Sequence, residues 1–204
     1  MNAAARKNIR KHLARDPALR PVLRSVELPY WQLGRDPYAA LIEAIMSQQL
    51  SGKAAATIHR RFLDLFPRRY PDPKRLARMT PAQLRMAGVS RQKAGYVKNV
   101  ATFALEFGLD RKHLNRLSDD EVIAHLTQIK GVGRWTVEML LMFDLGRPDV
   151  LPVDDLGIQQ AMQKLYRLRA KGKKLHARMT KNAEPWRPYR SHACMLLWKW
   201  KSAG

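Results

Sequence analysis

The chain has 204 residues, 46% of them apolar, which suits a packed core in one domain or two small ones and excludes disorder for the bulk of it. Its 38 Lys+Arg against 17 Asp+Glu leave a net charge of +21, which calls for a polyanionic partner, nucleic acid ahead of an anionic membrane surface. Cys194, the single cysteine, excludes an intramolecular disulfide, a four-thiolate zinc site and a cysteine-held iron–sulfur cluster.

Taken in order, the chain reads as helix after helix. Residues 3–15 form a basic amphipathic segment with Ile9 and Leu13 at i,i+4, and they lack the apolar centre of a signal peptide. No stretch reaches the roughly 18 apolar residues of a membrane span, so a cytoplasmic protein is expected, nucleoid-associated in a bacterium. Pro17, Pro21 and Pro29 break the next stretch into short pieces. Asp36-Pro37 starts a helix that carries Leu41, Ile42 and Ile45 on one face, and Gln48-Gln49 fall at its end. Ser51 can cap the next helix, to about Phe66. Thr80-Pro81 opens a short helix ended by Gly88, and Ser90 opens a longer one ended by Gly108. Ser118 and Glu121 form a capping box. A helix to about Tyr166 follows Asp154-Asp155. Residues 167–178 are expected as a basic, solvated loop, and Arg187-Pro188 leads into a last helix with Cys194, Leu197 and Trp198. No strand and no repeat is evident, so the fold class is all-α.

The chemistry is concentrated in residues 126–165. Lys130-Gly131-Val132-Gly133 is a tight turn between two helical patterns, and both glycines can take positive φ so that backbone N–H groups converge outside it. The helix starting at Arg134 adds its amides and positive dipole end, and Lys130, Arg134 and the Thr136 hydroxyl add charge and a hydrogen bond. Such a turn grips a DNA backbone without reading sequence. A lone glycine turn would mean little, but the helices flanking it and the +21 charge favour phosphate binding. Asp154 and Asp155 can cap the next helix. In a DNA-gripping protein such a pair repels phosphate unless it serves chemistry, and a magnesium nuclease would need further acids nearby. The six histidines show no metal-ligand spacing, so neither metal nor cofactor is expected.

IKGVGRWTVEMLL followed by PVDDLGIQQ, with IMSQQLSGKAA, GVSRQKAGYV and WRPYRSHACMLLW, resembles the helix-hairpin-helix DNA glycosylases, specifically the 3-methyladenine DNA glycosylase II branch. The resemblance spans roughly residues 36–200 and implies two helical lobes with the active-site cleft between them. Residues 36–153, including the hairpin at 126–143, would form one lobe, and residues 1–35 with 154–204 the other. It implies Asp155 as the catalytic carboxylate, because Asp155 to Ile158 fits the family's spacing, whereas a register set on Pro152 favours Asp154. Trp135 and Trp198 match the family's pocket aromatics, and Met139 stands where relatives can carry another. Ser90, Arg91 and Gln92 occupy the turn where the family places its wedge. The relatives that also cut the backbone carry a lysine where this chain has Trp135, so a monofunctional enzyme using water is implied.

The expectation is a monomeric glycosylase acting on double-stranded DNA that contains alkylated, cationic purines such as 3-methyladenine. A non-catalytic helix-hairpin-helix protein recognising damaged or distorted DNA would need the glycine turn but neither the Asp nor the aromatics. For a tryptophan taken singly, core packing is the usual role, and Tyr30, Trp31, Tyr38 and Trp186 are assigned to the core or the lobe seam.

Overall fold

The computed structural model describes residues 3–29, 36–48 and 52–203. Tyr30, Trp31, Gln49 and Ser51 lie outside the described residues. Among those described there is no strand. The helices are α1 (Ala3–Leu13), α2 (Leu19–Ser25), α3 (Pro37–Ser47), α4 (Gly52–Leu63), α5 (Pro73–Arg78), α6 (Pro81–Met86), α7 (Arg91–Phe107), α8 (Arg111–Leu114), α9 (Asp119–Leu126), α10 (Arg134–Met139), α11 (Leu156–Tyr166), α12 (Gly172–Ala183) and α13 (Arg190–Ser202). From α10 the backbone runs on as one π-helical turn, Leu140–Asp144.

Leu33–Leu140 form one compact unit, and Met1–Gln32 with Leu141–Gly204 form another. The division falls at 32/33 and 140/141, against the 35/36 and 153/154 expected from the sequence. In the first unit α7 is the central element, with α3, α5 and α6 packed on it. Its start is fixed by Ser90, whose hydroxyl accepts from the Lys93 amide. Asp36 caps α3, with Pro37 in its first turn. Thr80 with Gln83 and Ser118 with Glu121 form reciprocal capping boxes on α6 and α9.

The hairpin turn between α9 and α10 separates its two glycines. Gly131 has φ +108°, and a Cβ there would lie 2.3 Å from the Tyr96 ring. Gly133 is extended at φ −95°, and a Cβ there would meet nothing within 4 Å, so the expectation of positive φ at both holds only for Gly131. The first glycine is therefore demanded by folding and the second is not.

In the second unit α13 is the central element. Residues 191–197 of it are all buried, Cys194 among them, and α2 and α11 pack on it. The N-terminal segment is tied in by the Asp16 carboxylate, which accepts from the Trp186 indole at 2.7 Å and from the Tyr166 hydroxyl. Tyr38 in the other unit and Trp186 are core residues as expected.

Four elements differ from the sequence-based expectation. The basic stretch 167–178 is a loop only to Lys171, because Leu175, Met179 and Ala183 recur at i,i+4,i+8 and bury one face of α12. Asp72-Pro73 and Asp110 start two short helices, α5 and α8, through side-chain caps. Pro21 does not prevent α2, since a proline in a first turn removes no helical hydrogen bond.

Packing at the hairpin and burial in α13 each have a measurable effect on stability. Gly131→Ala should cost about 1–3 kcal/mol of stability through overpacking on Tyr96 and a strained φ, and Gly133→Ala clearly less. Equal losses in denaturant melts would contradict this difference. Burial pushes the His192 imidazole below the ordinary histidine range, against a weaker opposite pull from the Pro148 carbonyl. The native state then binds fewer protons than the unfolded chain, so this contribution is complete above the unfolded value of about 6.5 and is lost as pH falls through the native value. The melting temperature should fall from about pH 7.5 to about pH 5.5, and His192→Gln should reduce that fall. The same fall in the variant would assign it to other groups.

Candidate functional site

Asp155 is the N-cap of α11, and its Oδ1 accepts from the Ile158 amide at 2.8 Å. The same oxygen accepts from the Trp198 indole N–H at 2.9 Å, across from α13. Trp198 reaches it over Gly157, where a Cβ would lie 3.0 Å from the indole and from the Asp155 carboxylate. The indole also stacks on Phe143, with centroids 5.8 Å apart and planes at 26°. These four residues form one half-buried cluster in the second unit. Asp154 sits differently. It is exposed, and its Oδ1 lies 3.7 Å from His176 Nε2.

In the first unit, Trp135 and Met139 line one cavity of about 390 Å³, together with Ala44, Ser47, Gln48 and Thr136. Trp135 is 43% exposed, an unusual state for a tryptophan that serves only a core. Thr136 is buried rather than presented outward. The Arg134 Nε donates at 2.9 Å to the buried Glu138 carboxylate one turn on, while Lys130 is exposed. Val132 is buried and anchors the turn, its amide donating to Ile129 O at 2.9 Å.

The turn's carbonyls are held from behind. Asn99 Nδ2 donates to Lys130 O at 3.0 Å, and Gln48 Nε2 to Gly131 O at 3.3 Å. With both carbonyls held from that side, the peptide planes are fixed. A second cavity, of about 460 Å³, adjoins the turn and is lined by Gln48, Ser90, Gln92, Lys93, Tyr96 and Gly131, among others. Of the expected wedge residues, Ser90 is used as a cap, Gln92 donates to the Tyr96 hydroxyl at 2.8 Å, and Arg91 is exposed. Burial pushes the Lys93 ammonium below its ordinary range; it donates to Met46 O and Gln48 O, both at 2.7 Å, at the C-terminal end of α3.

Phe143, Tyr96 and Asn99 were not legible as site residues. Phe143 lies in the apolar run 139–143, which reads as helix core, and only its stacking on Trp198 distinguishes it. Tyr96 and Asn99 share a face of α7 at i,i+3, a spacing that carries no signal without knowledge of the neighbour.

The model of the HhH-GPD superfamily of base excision DNA repair proteins matches residues 42–188. Over 168 residues the chain is 40% identical to DNA-3-methyladenine glycosylase 1 of Schizosaccharomyces pombe, covering 81% of this chain and 72% of that protein. Among solved structures it is similar to a Schizosaccharomyces pombe 3-methyladenine DNA glycosylase in complex with abasic DNA, at 35% identity and TM-score 0.81, over 94% of this chain and 95% of that one. It is also similar to a DNA-3-methyladenine glycosidase of Bacillus halodurans, at 36% identity and TM-score 0.83, over 94% and 87% of the two chains. The chain belongs to the HhH-GPD superfamily of base excision DNA repair proteins.

Proposed function

We propose that this protein is a monofunctional DNA glycosylase that extrudes alkylated, cationic purines such as 3-methyladenine from double-stranded DNA and hydrolyses the N-glycosidic bond. The observation that carries this reading is the Asp155 carboxylate, held at a helix start by the Ile158 amide and by the indole of a stacked tryptophan. It is a fixed negative charge beside an aromatic surface, in a chain otherwise strongly cationic.

The target base has to leave the stack before the bond is accessible. Trp198 with Phe143, and Trp135 with Met139, are the surfaces assigned to the electron-poor base, with cation–π attraction of about 1–2 kcal/mol favouring it over neutral bases. The positive charge on the alkylated base makes it a good leaving group. The role of Asp155 is to stabilise the sugar cation as the bond breaks and to orient the attacking water. Asp154, exposed beside His176, is the less apt candidate. Trp135 stands where a lyase would need an amine, so no covalent intermediate and no cofactor is invoked.

Binding is assigned to the hairpin and to counterion release by the surplus cations. Gly133 supports this, because an exposed glycine that folding does not demand leaves bare backbone for a phosphate to approach. Lys130, Gly131 and Arg134 complete the contact in this assignment, Val132 and Thr136 being buried, and the wedge is left to the Ser90–Gln92 turn, with Arg91 its exposed member. Action as a monomer, in the cytoplasm and, in a bacterium, at the nucleoid, is part of the same reading.

Asparagine caps a helix as well as aspartate and can still accept from an indole. Asp155→Asn should therefore fold normally, bind abasic DNA normally and lose about 100- to 1000-fold in single-turnover excision. Asp154→Asn should stay near wild type, and the reverse order would transfer the role to Asp154. Gly133→Val should lower the melting temperature only slightly, through the poorer N-cap of α10, and weaken binding of the folded protein to abasic DNA about tenfold, equivalent to one or two lost hydrogen bonds. Unchanged affinity would remove the turn from the DNA contact.

A further inference from the structure

The loop that leads to Asp155 is fastened to α13, the helix that carries Trp198. Ser191 Oγ donates to Arg147 O at 2.7 Å and accepts from the Val150 amide at 2.9 Å. The Ser191 amide donates to Pro148 O at 3.0 Å. Arg190 Nε donates to Asp149 Oδ1 at 2.8 Å, and its Nη2 donates to Asp149 O at 2.7 Å. Arg187 Nη1 donates to the other carboxylate oxygen at 2.6 Å.

These bonds do more than hold a loop. The first amides of a helix have no intrahelical partner, and no side chain of Tyr189 caps α13. Residues 148 and 149 supply that cap, and the Asp149 carboxylate sits at the positive end of the helix dipole. Ser191 is completely buried, so its hydroxyl has no water to fall back on if either loop partner is lost. Seven residues on, at two helical turns and therefore on the same face, α13 presents Trp198 to Asp155. The segment 147–155 is thus pinned at both ends to one rigid helix. Its register on α13 decides where the Asp155 carboxylate stands relative to the indole.

We propose that Ser191, with Asp149 and Arg190, positions the Asp155–Trp198 pair, acting on the reaction only through that pair. This rests on the proposed role of Asp155. It assigns a task to the Arg190-Ser191 part of the C-terminal motif.

The test uses Ser191→Ala and, as a second variant that keeps side-chain volume, Asp149→Asn. The reporter is the ¹⁵N–¹H resonance of the Trp198 indole, assigned by its absence in Trp198→Phe. In either variant that melts cooperatively, the indole resonance should move or broaden, and single-turnover excision should fall about 100-fold while affinity for abasic DNA is unchanged, as expected for a misplaced but intact reacting group. An indole resonance at its wild-type position, or a rate loss no larger than the loss of folded protein, overturns the proposal. The indole signal needs no catalysis, so failure of the wild-type enzyme to release any base would count against the proposed function and leave this reading to stand or fall on the resonance.

Discussion

A carboxylate that is to stabilise a nascent cation has to be immobile without being neutralised. For Asp155 in its proposed role, the donors that hold the carboxylate include a backbone amide and an indole N–H, which carry no formal charge. A lysine or arginine in either place would hold it as firmly but would cancel the field on the sugar that the proposed role requires. The choice of an indole has consequences for the surroundings. A side chain at 157 would crowd the indole and the carboxylate, with its Cβ 3.0 Å from both, and Phe143 supplies the stacked ring. Trp198 in turn can be no better placed than α13, which explains why that helix is enclosed over seven successive residues.

The division between binding and chemistry follows from electrostatics. A net charge of +21 supplies affinity for any polyanion, and it supplies no discrimination. In the proposed reading the hairpin turn adds geometry to that affinity, with Gln48 and Asn99 fixing its carbonyls and Tyr96 filling the space below Gly131. In the proposed reading, selectivity for a cationic base is assigned to aromatic faces, where cation–π attraction adds to the stacking that any base gains. The acid is confined to one helix cap, so it costs the protein little of its attraction for DNA.

Features that depend on local chain chemistry were legible in the sequence. Asp36, Thr80, Ser90 and Ser118 all cap the helices they announce, and the Lys130–Gly133 turn separates two helices. The Asp72 and Asp110 caps are local signals of the same kind that the expectation lacked, whereas most of the remainder was set by partners distant in sequence. Composition hid the α12 helix, because cations outnumber its three buried apolar positions. The two glycines of the turn look equivalent in sequence, and only the position of Tyr96 shows that one is structural. Asp154 and Asp155 look equivalent for the same reason. The Trp198 indole, 43 residues further on, distinguishes them.

The most direct test of the central claim is chromatography of the free bases released when the protein is incubated with dimethyl-sulfate-treated duplex DNA. Release of 3-methyladenine by the wild-type protein, absent with Asp155→Asn and unaccompanied by strand cleavage, is the predicted result. Tight binding of that DNA with no base released would contradict the account and leave a helix-hairpin-helix protein that recognises damage without repairing it.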